Sequence, residues 1–201
     1  MDYVLYIPGL HDMAFPNKQL TATFPLFWEP FGVKVHIVRL RWSKGKSFAP
    51  KLKVITDLID TLATKKNKVF LVGQSAGASA VLNAYVARKK KVAGVVSIDG
   101  RLRDGNVFPS LRLLSVGNPA FKESVLLFEH KNEKKLTKED RKKILTLHPI
   151  WDDIVPVKTA TLNEVKDITM PIFTHKLGGV MACAIYAKTI TNFLKKIEIK
   201  E

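Results

Sequence analysis

The residues with the clearest chemical purpose lie in the run Val69-Phe-Leu-Val-Gly73-Gln-Ser75-Ala-Gly77. A serine hydroxyl can form a covalent intermediate at an acyl carbon, and Ser75 sits in a G-x-S-x-G pattern between an apolar run and an alanine-rich stretch. A strand that turns at once into a helix places such a serine on a sharp, strained turn, with the hydroxyl projecting from the sheet edge. Glycines at 73 and 77 remove side chains that would clash there. The helix that follows points its first N–H groups at developing negative charge. The five-residue pattern alone arises by chance in roughly a few per cent of such chains. The strand before it and the helix after it separate it from an ordinary βα turn with a capping serine. Free serine is a weak nucleophile and needs a base. Histidines stand at 11, 36, 130, 148 and 175.

The elements that must position these groups alternate between strand and helix, which argues for a parallel sheet covered on both faces. Strands are expected over 3–7, 33–40, 68–72, 92–98, 144–147 and 168–174. Helices are expected over 17–28, weakened by Pro25, and over 50–64, 76–88 and 120–129. In the 50–64 segment Leu52, Ile55, Ile59 and Leu62 recur at spacings of three and four, one face of a helix. Thr137 to Asp140 resembles a capping box that starts a short helix. A helical turn over 159–164 and a final helix over 179–196 complete the pattern. The fold class is therefore α/β: a single domain over 1–201, a three-layer sandwich around a mostly parallel, doubly wound sheet of about six strands. Residues 99–132 are the least regular and read as a small lid-like insertion. Ligands on such sheets bind beyond the carboxyl ends of the strands.

Composition narrows the function classes. The chain has 201 residues, 46% hydrophobic and 25% charged, close to the globular average. No apolar run reaches the roughly 20 residues that span a bilayer. The N-terminal MDYVLYIPGL has no basic n-region and reads as a first strand rather than a signal peptide. The single cysteine, Cys183, rules out an internal disulfide and reads as a buried thiol in a reducing, cytoplasmic setting. Neither CxxC nor HExxH is present, so neither a metal nor a cofactor is expected. The net charge is +15, enough to attract polyanions weakly. The basic clusters at 65–66, 88–91, 141–143 and 195–196 fall at the ends of different elements, where helix dipoles favour cations. No stripe of basic and aromatic residues appears, so no specific nucleic-acid partner is expected.

With strand, turn and helix in this order, the chain resembles the α/β-hydrolase family, specifically compact members with little or no cap. The resemblance runs through nearly the whole chain. The strand 3–7 with Pro8-Gly9-Leu10 looks like the oxyanion-loop strand, although that loop often reads His-Gly and here reads Pro-Gly. Gly73 to Gly77 looks like the nucleophile elbow. The segment His148-Pro-Ile-Trp-Asp152-Asp-Ile-Val-Pro156 looks like the acid loop, and Thr174-His175 looks like the catalytic-histidine loop. The family order of serine, acid, histidine is met by 75, 152 and 175.

The resemblance implies a catalytic triad of Ser75, His175 and Asp152, with the backbone N–H groups of Leu10 and Ala76 as the oxyanion hole. His175 follows the last strand and precedes a loop over 176–179 that can bend it toward Ser75. His36 and His130 read as structural or solvated side chains. For the acid, Asp153 next door and Asp99, straight after the fourth strand, remain open alternatives to Asp152. His11, Gln74, Phe108 and Phe121 are candidate substrate contacts, and Leu111 and Leu126 further apolar lining, under a roof built from 99–132. The implied activity is hydrolysis of a small-molecule carboxylic ester through an acyl-enzyme. Thioester, peptide or carbon–carbon hydrolysis on the same triad, or a non-catalytic binding protein on the same scaffold, are the competing expectations.

Overall fold

In β1 (Asp2–Ile7), Val4 and Tyr6 are buried on one face and Leu5 and Ile7 on the other. A strand apolar on both faces belongs inside a parallel sheet. This computed structural model describes residues 1–23, 27–105 and 117–197. Its further strands are β2 (Val33–Ile37), β3 (Val69–Gln74), β4 (Val92–Ile98), β5 (Ile144–Pro149) and β6 (Lys166–Met170). They lie in the order β2-β1-β3-β4-β5-β6, and every neighbouring pair is parallel. The chain first moves outward from β1 to β2, then returns to the other side of β1 and continues to β6. The strand order therefore reverses between β1 and β3, where an open sheet leaves a crevice for ligands.

Helices cover the two faces. On the face of Leu5 and Leu71 pack α2 (Ala49–Leu62), α3 (Ala76–Ala87) and α4 (Pro119–Leu127). On the face of Val4 and Phe70 pack Trp28, α7 (His175–Ala184) and α8 (Ala187–Lys196). Three short helices, α1 (Asn17–Ala22), α5 (Lys138–Lys142) and α6 (Val157–Ala160), sit in the connections. The capping box at the start of α5 forms: Asp140 N–H donates to Thr137 Oγ1 at 3.2 Å, and Thr137 N–H to Asp140 Oδ2 at 2.8 Å.

Several boundaries differ from expectation. The first helix ends at Ala22, with residues 24–26 outside the described residues and a separate 3-10 turn at Glu29–Phe31. β2 stops at Ile37, although Val38 N–H still reaches Tyr6 O at 2.8 Å. β6 starts two residues earlier than expected and ends four residues earlier, releasing the chain at Met170. The helical turn expected over 159–164 lies at Val157–Ala160, directly after Pro156. The final helix is two helices bent by 63°. It also starts at His175 rather than 179, because Thr174 caps it: Thr174 Oγ1 accepts from Leu177 N–H at 3.3 Å. Among the described residues no single helix is long and apolar enough to cross a membrane.

Candidate active site

Ser75 is the single residue between β3 and α3. Its φ of +53° and ψ of −115° lie outside the regions open to an ordinary L-residue, a strain of about 1–3 kcal/mol. The surroundings hold it there. Ser75 N–H donates to Ile98 O at 2.8 Å, and Ala78 N–H donates to Ser75 O at 3.1 Å. A Cβ on Gly73 would meet the carbonyl of Gly77, and one on Gly77 would meet the carbonyl of Ile7. The two glycines thus let α3 dock onto the sheet at backbone contact, which is what lifts the serine beyond the strand ends.

His175 is the first residue of α7, not part of a loop as its sequence context predicts. Its N–H donates to Asp153 Oδ1 at 2.7 Å, so the neighbouring acid holds the helix start. The ring is almost fully buried. Nδ1 lies 2.8 Å from Asp152 Oδ2, and Nε2 lies 2.9 Å from Ser75 Oγ. An ionised carboxylate only accepts, so Nδ1 carries the proton and Nε2 is free to accept from the serine hydroxyl. The other oxygen of Asp152 accepts from the N–H groups of Ile154 at 2.8 Å and Val155 at 2.7 Å. Burial pushes the imidazolium of His175 toward losing its proton. The hydrogen bond and charge of Asp152, with the charges of Asp99 and Asp153, outweigh that and leave His175 above the ordinary histidine range. Of the three carboxylates open at the sequence level, Asp152 meets the ring, Asp153 meets the backbone of the same residue, and Asp99 makes no side-chain hydrogen bond.

Ser75 and His175 open into a cavity of about 420 Å³. Leu10, His11, Gln74 and Phe121 line it. Neither Leu10 N–H nor Ala76 N–H is taken up by a protein acceptor among the described residues. Gly9 lies against the serine: a Cβ there would stand 3.1 Å from Ser75 Cβ. Phe108 and Leu111 lie outside the described residues. Leu126 is half-buried on α4 and does not line the cavity.

Of the segment 99–132 expected as a roof, residues 106–116 lie outside the described residues, and Phe121 lines the cavity. Most of the wall comes from 8–21, including Asp12, Phe15, Leu20 and Thr21. The reason is Arg39, beyond the end of β2. Its Nε donates to Asp12 O at 3.2 Å, and its Nη2 donates to Lys18 O at 3.0 Å and Thr21 Oγ1 at 3.2 Å. Asp12 Oδ2 in turn accepts from Arg41 N–H at 2.7 Å. Ile154, Lys176 and Val180 complete the lining. Sequence reasoning missed these residues. Only the neighbourhood of Ile154 and Lys176 to Asp152 and His175 could have signalled them.

No protein-family model matches the sequence, and no curated protein does. Solved structures do match in shape. One comes from work on the metagenome-derived lipolytic enzymes LipS and LipT; it is 15% identical, covers 97% of this chain and 94% of its own, and has a TM-score of 0.69. The pyrethroid hydrolase PytH is 16% identical, with 98% of both chains covered and a TM-score of 0.66. The monoacylglycerol lipase of Paleococcus ferrophilus is 16% identical, with 98% and 95% covered and a TM-score of 0.58. Together with the six-stranded parallel sheet and the strained serine at its switch point, these likenesses make the chain a compact member of the α/β-hydrolase fold.

Proposed function

We propose that this protein is a serine hydrolase acting on small-molecule carboxylic esters. The observation that carries the reading is the unbroken chain from Ser75 Oγ to His175 Nε2 at 2.9 Å and from His175 Nδ1 to Asp152 Oδ2 at 2.8 Å, opening into a cavity. Ser75 Oγ attacks the ester carbonyl carbon while its proton passes to His175 Nε2. Asp152 holds the imidazole tautomer and stabilises the imidazolium. The carbonyl oxygen becomes an oxyanion and accepts from the N–H groups of Leu10 and Ala76, which have no competing acceptor among the described residues. Collapse expels the alcohol, which takes the proton from His175, and leaves an acyl-Ser75 ester. Water then attacks that ester with His175 as base, releasing the acid and restoring the serine. An ester suits this site better than an amide because alkoxide is the better leaving group.

A panel of p-nitrophenyl esters of increasing acyl length tests the proposal. Turnover of at least one ester, abolished by prior treatment with a fluorophosphonate, supports it. A protein that neither turns over any ester nor takes the label refutes it.

A further inference from the structure

Asp99 is the carboxylate that the hydrogen-bond chain leaves out. It follows β4 directly, is fully buried, and has a left-handed φ of +48°. Its N–H donates to Leu147 O at 2.8 Å, yet among the described residues neither side-chain oxygen has a hydrogen-bond partner. A buried carboxyl without partners is costly, and so is a left-handed backbone at a residue other than glycine. Neither is needed to end a parallel strand.

Its surroundings point to the base. The carboxyl lies against the first turn of α7, where a Cβ on Gly178 would come within 2.8 Å of Oδ2 and 3.1 Å of Oδ1. Gly179 lies in the same way against the side-chain amide of Gln74, whose Oε1 accepts from the Tyr6 hydroxyl. Glycine weakens a helix by about 1 kcal/mol relative to alanine. Here two in succession let polar groups from β4 and β3 press on the helix backbone three and four residues after His175. The titratable groups that face Asp99 are His175 and Cys183 from α7, Asp152 from the acid loop and Tyr6 from β1. Burial pushes the Asp99 carboxyl up to about 8; His175 opposes the rise and Asp152 adds to it. Tyr6 and Cys183 are both pushed up by burial and keep their protons in that range.

We propose that Asp99 is a positioning residue of the base: it seats the first turn of α7 and, when charged, makes His175 a stronger base. The assignment rests on the reading of Ser75 and His175 given above. Protonated, the carboxyl is a neutral support under Gly178. Ionised, it adds a second negative charge beside that of Asp152 and favours the imidazolium that forms as Ser75 attacks. It takes no proton from the serine, which still passes to His175 Nε2.

The test is the pH dependence of Ser75 labelling by a fluorophosphonate, followed from about pH 5 to pH 10. In the native protein labelling rises with two ionisations, one of His175 and one, the second step, of Asp99 centred near pH 8, the latter worth roughly three- to tenfold. Asp99→Asn keeps the side-chain shape and tolerates the left-handed backbone; it shows the His175 step only. Asp99→Gly also accepts that backbone, lacks the carboxyl altogether, and shows the same single step. Variants that retain the second step overturn the assignment and leave the nucleophile reading intact. So does a native profile with one step, which needs no variant. A native protein that is never labelled overturns the nucleophile reading and this assignment with it.

Discussion

Two carboxylates follow adjacent parallel strands and act electrostatically on the same histidine, yet their settings are opposite. Asp152, after β5, accepts two backbone N–H groups on one oxygen and the imidazole on the other. Asp99, after β4, accepts nothing among the described residues. The difference lies in how the chain leaves each strand. After β5 the loop curls so that the N–H groups of Ile154 and Val155 point back at the acid. After β4 the chain drops into the core, where Leu102 N–H bonds Thr159 O at 2.8 Å and α7 closes over the carboxyl. A strand end supplies the position of an acid. The turn that follows decides whether a buried acid is hydrogen-bonded and oriented or left without such support.

The largest effect expected from this contrast is on turnover. Asp152→Asn lowers kcat by about 10⁴ with the fold intact, because an amide supports the wrong imidazole tautomer. Circular dichroism and ester kinetics read the two parts. At pH 7 Asp99→Asn stays within about tenfold of native turnover. If the two variants exchange these results, the roles of the two acids are exchanged as well.

The next effect is on stability. Burial lifts Asp99 in the folded state to about 8, above the unfolded carboxylate at about 4. The folded state therefore binds the extra proton. The group's stabilisation is complete below about pH 4 and is lost as pH rises toward 8. The stability of Asp99→Asn relative to native should climb by a few kcal/mol between about pH 4 and pH 8.5. Urea denaturation at the two ends reads this, and parallel curves contradict it.

Smaller effects come from the supports. Asp153→Ala removes the acceptor for His175 N–H and lowers kcat about tenfold with KM little changed, since it loosens the base and not the cavity. Arg39→Ala does the reverse. It frees the 8–21 wall from its three hydrogen bonds and raises KM by about threefold to tenfold while kcat holds. Loss of kcat in Arg39→Ala would show that the wall also orders the triad.

The alternation of elements was legible in the sequence because β1, β3 and β4 are buried on both faces and read as continuous apolar runs. Ser75 was legible because its geometry comes from residues two positions away on either side. His175 was legible in position but not in setting. Gly178-Gly179 looks like a loop former, whereas the pair sits inside a helix for its lack of side chains against Asp99 and Gln74. The choice among Asp99, Asp152 and Asp153 needed the path of the chain after each strand. The wall over 8–21 was not legible because Arg39 reaches residues 12, 18 and 21 through space, and no local pattern marks such a clamp.

The central claim is that Ser75 is the nucleophile, and its most direct test is Ser75→Ala assayed on p-nitrophenyl acetate. Turnover should fall by about 10⁴ to 10⁶, to the background left by binding and the oxyanion hole, with an unchanged circular dichroism spectrum. Native turnover in a folded Ser75→Ala protein would contradict the account.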